Sequence, residues 1–382
     1  MAENTGGILS FWNFKEYKPD REAYQIDEYP LFTDADIIGE LRKGCEPYTF
    51  VNTVPFKREC GTVRESIILR IYWHTSYQLK CNIKTDASQY HGGHINDEIA
   101  ALVSLKLGIR LKSGSMTRTF HDFYNDRLGS PRSPINPPPQ LMVQDKKRLI
   151  IPGVVKEVNI STLNQLKSLQ YLNEGQYVSL LRAARLYQDA IWIAESDPNS
   201  AWLMLISAVE VAANQWREDS DSPATRLRSS KPKLAELLIS SGGEELLEKV
   251  ANEIIHSLGA TNKFVKFCLE YKPDPPTKRP ENAQIEWESG LKKILNTLYD
   301  YRSKALHGGN PFPEPMCSPP EKTLDGLLSE KACTFGLAVH TRGASWKAED
   351  LPINMNTFHY FVNGVLNNWW SSLIEQNEMN SD

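Results

Sequence analysis

The chain has 382 residues, 41% hydrophobic and 24% charged, which fits an ordinary soluble globular protein larger than one usual domain. Its net charge of -4 and pI near 6.1 exclude a surface that coats nucleic acid generally, so any RNA contact has to be local. No apolar run approaches the roughly 20 residues of a membrane span, no signal peptide is read at the N-terminus, and Cys45, Cys60, Cys81, Cys268, Cys317 and Cys333 show no C-x-x-C spacing, so a cytoplasmic protein is expected.

Residues 1–160 read as an α+β domain. Aromatic and β-branched runs at 48–54, 66–73 and 77–84 have strand character, and the last shows period-two alternation. Ile95, Ile99, Leu102 and Val103 predict a helix over 95–107 that stops at Gly108. The proline-rich stretch from Pro131 to Pro139 interrupts regular structure, and Arg148 to Pro152 reads as one more strand. His91 and His94, with Asp97, Glu98 and Cys81, are ligand-type side chains. No second close pair completes a tetrahedral set, so the histidines are read as surface residues and no metal is expected. Gly92-Gly93 and Gly242-Gly243 lack the flanking lysine of a P-loop, and no cofactor is expected.

Residues 161–382 read as helical. The expected helices cover 175–195, 200–217, 232–241, 243–258, 261–271, 285–307 and 356–376. Breaks fall at the polar stretch from Asp219 to Lys231 and at the four prolines between Lys272 and Pro280. An irregular insert is expected near 310–350, where it would shape the mouth of a site. Trp369 and Trp370 are read as packing residues before base-stacking ones.

Two helices in this part each carry one charge on an apolar stripe. Leu291, Leu295 and Leu298 are followed at the next apolar position by Arg302, and the stripe Leu203, Ile206 and Ala213 includes Glu210. A lone carboxylate among apolar neighbours is costly unless paired, which makes Glu210 and Arg302 natural partners. Five residues beyond Arg302, His307 lies roughly 140° around the helix, on the polar strip of Asn296, Asp300 and Ser303. Gly308-Gly309 then supplies the left-handed helix stop.

Ala208-Val209-Glu210, followed later by Tyr299-x-x-Arg302-Ser303-x-x-x-His307-Gly308, resembles the signature of the ApeA-like HEPN domains over roughly residues 170 to 376. The resemblance implies an all-α bundle that dimerises and joins two Arg/His pairs in a groove that cleaves RNA. It also implies a bacterial anti-phage defence or toxin setting, in which a phage-derived trigger or another protein acts as partner and residues 1–160 serve sensing or substrate recognition. Catalysis would fall to Arg302, His307 and Glu210. An attacking 2′-hydroxyl needs proton transfer, which an imidazole supplies near neutrality, and charge stabilisation, which a guanidinium fork supplies without a metal. The alternative is a catalytically inactive HEPN-like module that binds RNA or a protein. Where related modules carry a modifiable tyrosine two residues beyond the histidine, this chain has Gly309.

Overall fold

The computed structural model describes residues 8–52, 61–75, 85–121, 127–216, 222–254, 259–332, 334 and 336–379. Helix α1 (Leu9–Glu16) precedes β1 (Gln25–Thr33), β2 (Asp36–Ile38), β3 (Tyr48–Asn52), β4 (Arg64–Trp73), α2 (Ile95–Leu107), β5 (Lys112–Ser113), β6 (Arg118–Phe120), β7 (Ser130–Pro131) and β8 (Glu157–Asn159). The antiparallel sheet runs β3-β4-β1-β6-β7, with β5 also on β1, while β2 and β8 form a separate parallel pair. On β4, Ile67, Leu69 and Ile71 alternate into the core with no exposed surface, the period-two pattern of a half-buried strand. Helix α2 ends where expected, because Gly108 takes the left-handed conformation at φ 62°.

The rest of the chain is mainly helical, with α3 (Glu174–Ile193), α4 (Pro198–Trp216), α5 (Pro223–Ser230), α6 (Pro232–Glu253), α7 (Ala260–Glu270), α8 (Leu291–Gly308) and α9 (Met355–Met379). A short turn joins α3 to α4. Asp197 caps the new helix by accepting the Ser200 amide at 3.1 Å, and Pro198 takes the first helical position. Phe358, Phe361, Val365, Leu366, Trp369 and Trp370 run along α9 and are fully or almost fully buried, so the paired tryptophans are core residues.

A sheet-bearing N-terminal part and a helical C-terminal part are thus what the chain builds. One apolar core spans both, from Ile8 to Leu373, and α2 packs against α3 and α9. The smaller cluster of Leu227, Ala235, Leu247 and Ala251 lies apart from it, between α5 and α6.

Several elements differ from the sequence reading. Arg148 to Pro152 is not a strand: Leu149, Ile150 and Ile151 are buried, but the Ile150 and Ile151 amides donate to the Glu195 carboxylate at 2.8 and 3.2 Å instead of to a ladder. The expected helix over 285–307 begins at Leu291, leaving buried Trp287 in the turn before it. Within the expected linker 219–231 stands α5, capped where the Ser222 hydroxyl accepts the Thr225 amide at 3.2 Å. The break expected between helices over 232–241 and 243–258, by contrast, is present inside α6, where Gly242 and Gly243 leave helical geometry, Gly243 with a φ of 67° and ψ of -165° that only glycine adopts readily. The expected strand over 77–84 lies outside the described residues.

The insert near 310–350 is also more regular than expected. It contains a hairpin of β9 (Ala338–Thr341) and β10 (Ala344–Lys347), so the C-terminal part is not all-α. Arg342 and Gly343 both have positive φ, 49° and 79°, as a two-residue type I′ turn requires. Among the contacts that anchor the insert, Arg279 donates to both oxygens of Glu330 at 2.7 Å, and Phe312 stacks on Trp202 at 5.3 Å.

Candidate functional site

Helix α8 presents a buried face and an exposed one. Leu291, Leu295, Leu298 and Tyr299 are buried and fix the helix in the bundle, with the Tyr299 ring 5.3 Å from Phe264 of α7. Arg302 continues this face one turn on, but with 22% of its side chain open to solvent. His307 is exposed in the last turn, before the left-handed Gly309 whose amide caps the helix on the Lys304 carbonyl.

The pairing expected from two charged positions on apolar stripes is present. Arg302 Nη2 donates to Glu210 Oε2 at 2.9 Å, and the Tyr299 hydroxyl donates to Glu210 Oε1 at 2.8 Å. Both carboxylate oxygens are therefore engaged, and the Tyr299 ring lies 5.4 Å from the guanidinium carbon. Burial, reinforced by the bond to Glu210, pushes the Tyr299 hydroxyl well above its usual range and keeps it a donor. The sequence suggests one buried and one cleft-lining tyrosine at Tyr299 and Tyr301, neither of them catalytic, and does not pair Tyr299 with Glu210. The signal for that pairing was the i, i+3 spacing to Arg302, which puts both on one helix face.

This triad fixes the guanidinium without saturating it. Glu210 takes the Nη2 edge, and Nε is buried with no hydrogen-bond partner among the described residues. An arginine held at one edge and partly open is suited to receive an anion. His307 has no hydrogen bond to the described residues. It shares α8 with Arg302 but does not touch the Glu210 triad.

A cavity of about 1150 Å³ lies beside α8 on the side that carries Asp300, lined by Thr297, Asp300, Tyr301 and Lys304 together with Asp197 and Trp346. Neither Arg302, His307 nor Glu210 lines it. The insert therefore walls a space that neither member of the Arg/His pair lines. Tyr301 ties α8 to that wall by donating to the Asp350 carbonyl at 2.7 Å, and burial, with Asp350 and Asp300 nearby, pushes its hydroxyl up to about 12.

The histidine pair of the N-terminal part also needs correction. His94 is exposed at the start of α2, but the His91 side chain is buried and its Nε2 lies 2.9 Å from Oε1 of fully buried Glu98. Glu98 has a further task, since its two oxygens accept the Leu9 and Ser10 amides and hold the start of α1. Burial favours neutral His91, but Glu98 and the Gln89 carbonyl outweigh it and raise its pKa above the usual value. Among the described residues no group of three or more His, Cys, Asp and Glu side chains is placed to hold a metal ion. No helix among them is long and apolar enough to cross a membrane.

Compared with known proteins, the chain matches no family model, no curated sequence and no solved structure.

Proposed function

We propose that this protein is a metal-independent endoribonuclease of the HEPN type, built on its helical C-terminal part and acting in anti-phage defence or as a toxin. The observation that carries the reading is the Arg302–Glu210 ion pair at 2.9 Å, with Tyr299 locking the second carboxylate oxygen. Glu210 and Tyr299 position the guanidinium, Arg302 neutralises the phosphate as charge builds on it, and exposed His307 moves the proton of the 2′-hydroxyl or of the leaving oxygen. Arg302 and His307 belong to different faces of one helix, so a second copy of the chain completes the groove. A phage-derived trigger or another protein would act through residues 1–160.

Incubation with total RNA and with tRNA in chelator tests the reading. Cleavage of RNA, survival of DNA and loss of cleavage in His307→Ala are expected, and full cleavage by a folded His307→Ala protein would overturn it. One observation favours the alternative of a non-catalytic RNA- or protein-binding module: no described side chain orients His307. In that case RNA is bound and released intact.

A further inference from the structure

We propose that the arm formed by α5 and α6 is where the RNA phosphate backbone lands, with Arg226, Arg228, Lys231 and Lys233 as its contact run; this rests on RNA being the substrate. The arm is a unit in its own right, because Leu227, Ala235, Leu247 and Ala251 form a small core separate from the main one. Its charge is sharply divided. Residues 226–233 hold four cations and no carboxylate, whereas Glu236, Glu244, Glu245, Glu248 and Glu253 follow along α6. In a chain of net charge -4 such a local excess is what RNA binding needs.

The geometry at the junction of α5 and α6 strengthens the case. Lys231 leaves helical geometry at φ -137° and ψ 67°, and Pro232 starts α6 with no side-chain cap on its first turn. The free amides of that turn add positive partial charge beside Lys231 and Lys233. Both lysines are exposed, and neither has a carboxylate partner among the described residues. Arg228, by contrast, is paired with Glu244, so the two lysines carry the argument.

The arm also departs from and returns to the helices that build the arginine site. It follows α4, which carries Glu210 and ends about 9 Å of helix later at Trp216. It leads into α7, whose Phe264 packs on Tyr299 and whose Phe267 meets the Trp216 ring at 5.7 Å. In the chain the arm thus stands between the two helices that flank the arginine site.

Binding is separated from cleavage by a short, mixed-sequence, fluorescein-labelled 2′-O-methyl RNA, which has no free 2′-hydroxyl to attack. Anisotropy would be measured over a salt series with the full chain, the Lys231→Gln/Lys233→Gln variant and the Lys249→Gln variant. The double variant is expected to bind roughly tenfold more weakly, with a slope of log affinity against log salt shallower by about 1.4, because two phosphate contacts are lost. Lys249→Gln, at the acidic end of the same arm, is expected to bind like the parent chain. Unchanged affinity and slope in the double variant, an equal loss in Lys249→Gln, or no binding by the parent chain would each overturn the proposal. Cleavage of unmodified RNA in chelator scores the nuclease reading separately. Cleavage without an arm effect removes only the arm, and an arm effect without cleavage removes only the nuclease.

Discussion

Arg110 and Arg302 each meet a glutamate of the α3–α4 hairpin, yet Arg110 is wholly buried while Arg302 keeps 22% of its side chain open. Arg110 donates from Nε to the Ile191 carbonyl at 2.8 Å, from Nη1 to Asp34 at 2.7 Å and from Nη2 to Glu195 at 2.5 Å. All three of its nitrogens are used. It joins the loop after β1 to the end of α3, and with no exposed surface it is closed to a ligand. Arg302 is bonded at one edge only. Saturation and burial together, more than the presence of a carboxylate, separate an arginine that holds the fold from one available to a substrate.

The largest effect expected is on stability at Arg110. Removing the guanidinium in Arg110→Ala leaves two buried carboxylates facing each other, and losing one partner of a buried pair costs about 3–5 kcal/mol. Urea unfolding measures this, and a loss below about 1 kcal/mol would show that water replaces the side chain. Arg302→Ala should behave differently. Its stability loss stays near that of a partly exposed pair, about 1 kcal/mol, while RNA cleavage disappears. If both variants unfold the protein alike, the distinction between the two arginines collapses.

His307→Ala comes next. Losing a general acid or base lowers rates by about 10²–10⁴-fold, and with an exposed side chain the unfolding midpoint should not move. A rate unchanged within twofold would remove His307 from the chemistry. The Glu210 series is smaller and graded. Glu210→Ala removes the hydrogen bonds that Arg302 and Tyr299 make to it, and as the pair is partly exposed each is worth about 1 kcal/mol. Glu210→Gln keeps one acceptor oxygen and should fall between Ala and the parent chain in both cleavage and thermal midpoint. Equal effects of Gln and Ala would mean that charge alone, and not the bonding geometry, holds Arg302.

The two arginine sites also differ in how far the sequence revealed them. Glu210 and Arg302 stood out because each interrupts a regular apolar stripe, so the helical period places them before any contact is known. Asp34, Arg110 and Glu195 lie in three loops with no period to interrupt, and only tertiary structure brings them together. The same contrast runs through the fold. Helix α2 was legible from its stripe and from Gly108, whereas β1 was not, because Asp27, Glu28 and Pro30 break its alternation. Asp27 is tolerated there only because Trp73, Thr119 and Gln25 each donate to it at 2.7 Å. The signals for α5 and the hairpin were present, in Ser222-Pro223 and in Arg342-Gly343, but each is two residues long within polar surroundings.

The smallest effect expected concerns two buried histidines that should bend stability with pH in opposite directions. His359 bonds to the Tyr187 hydroxyl at 2.6 Å, and burial, with Lys156 and Arg110 nearby, lowers its pKa from 6.5 to about 3. It is neutral when folded and charges below about 6.5 when unfolded, so its stabilisation is present above that pH and is lost as the pH falls towards 3. His91 is the reverse. Its ring nitrogens face the Glu98 carboxylate and the Gln89 carbonyl, both acceptors, so the folded state holds its proton more tightly than the unfolded one. Its stabilisation is present below 6.5 and is lost as the pH rises through the raised folded value. Each histidine alone gives a slope of at most about 1.4 kcal/mol per pH unit, and the combined contribution peaks near 6.5. Urea midpoints from pH 4 to 9 should therefore lose their alkaline limb in His91→Gln and their acid limb in His359→Gln. An alkaline limb that survives in His91→Gln would mean that the start of α1 is held by Glu98 alone, with the imidazole adding no charge to the pair.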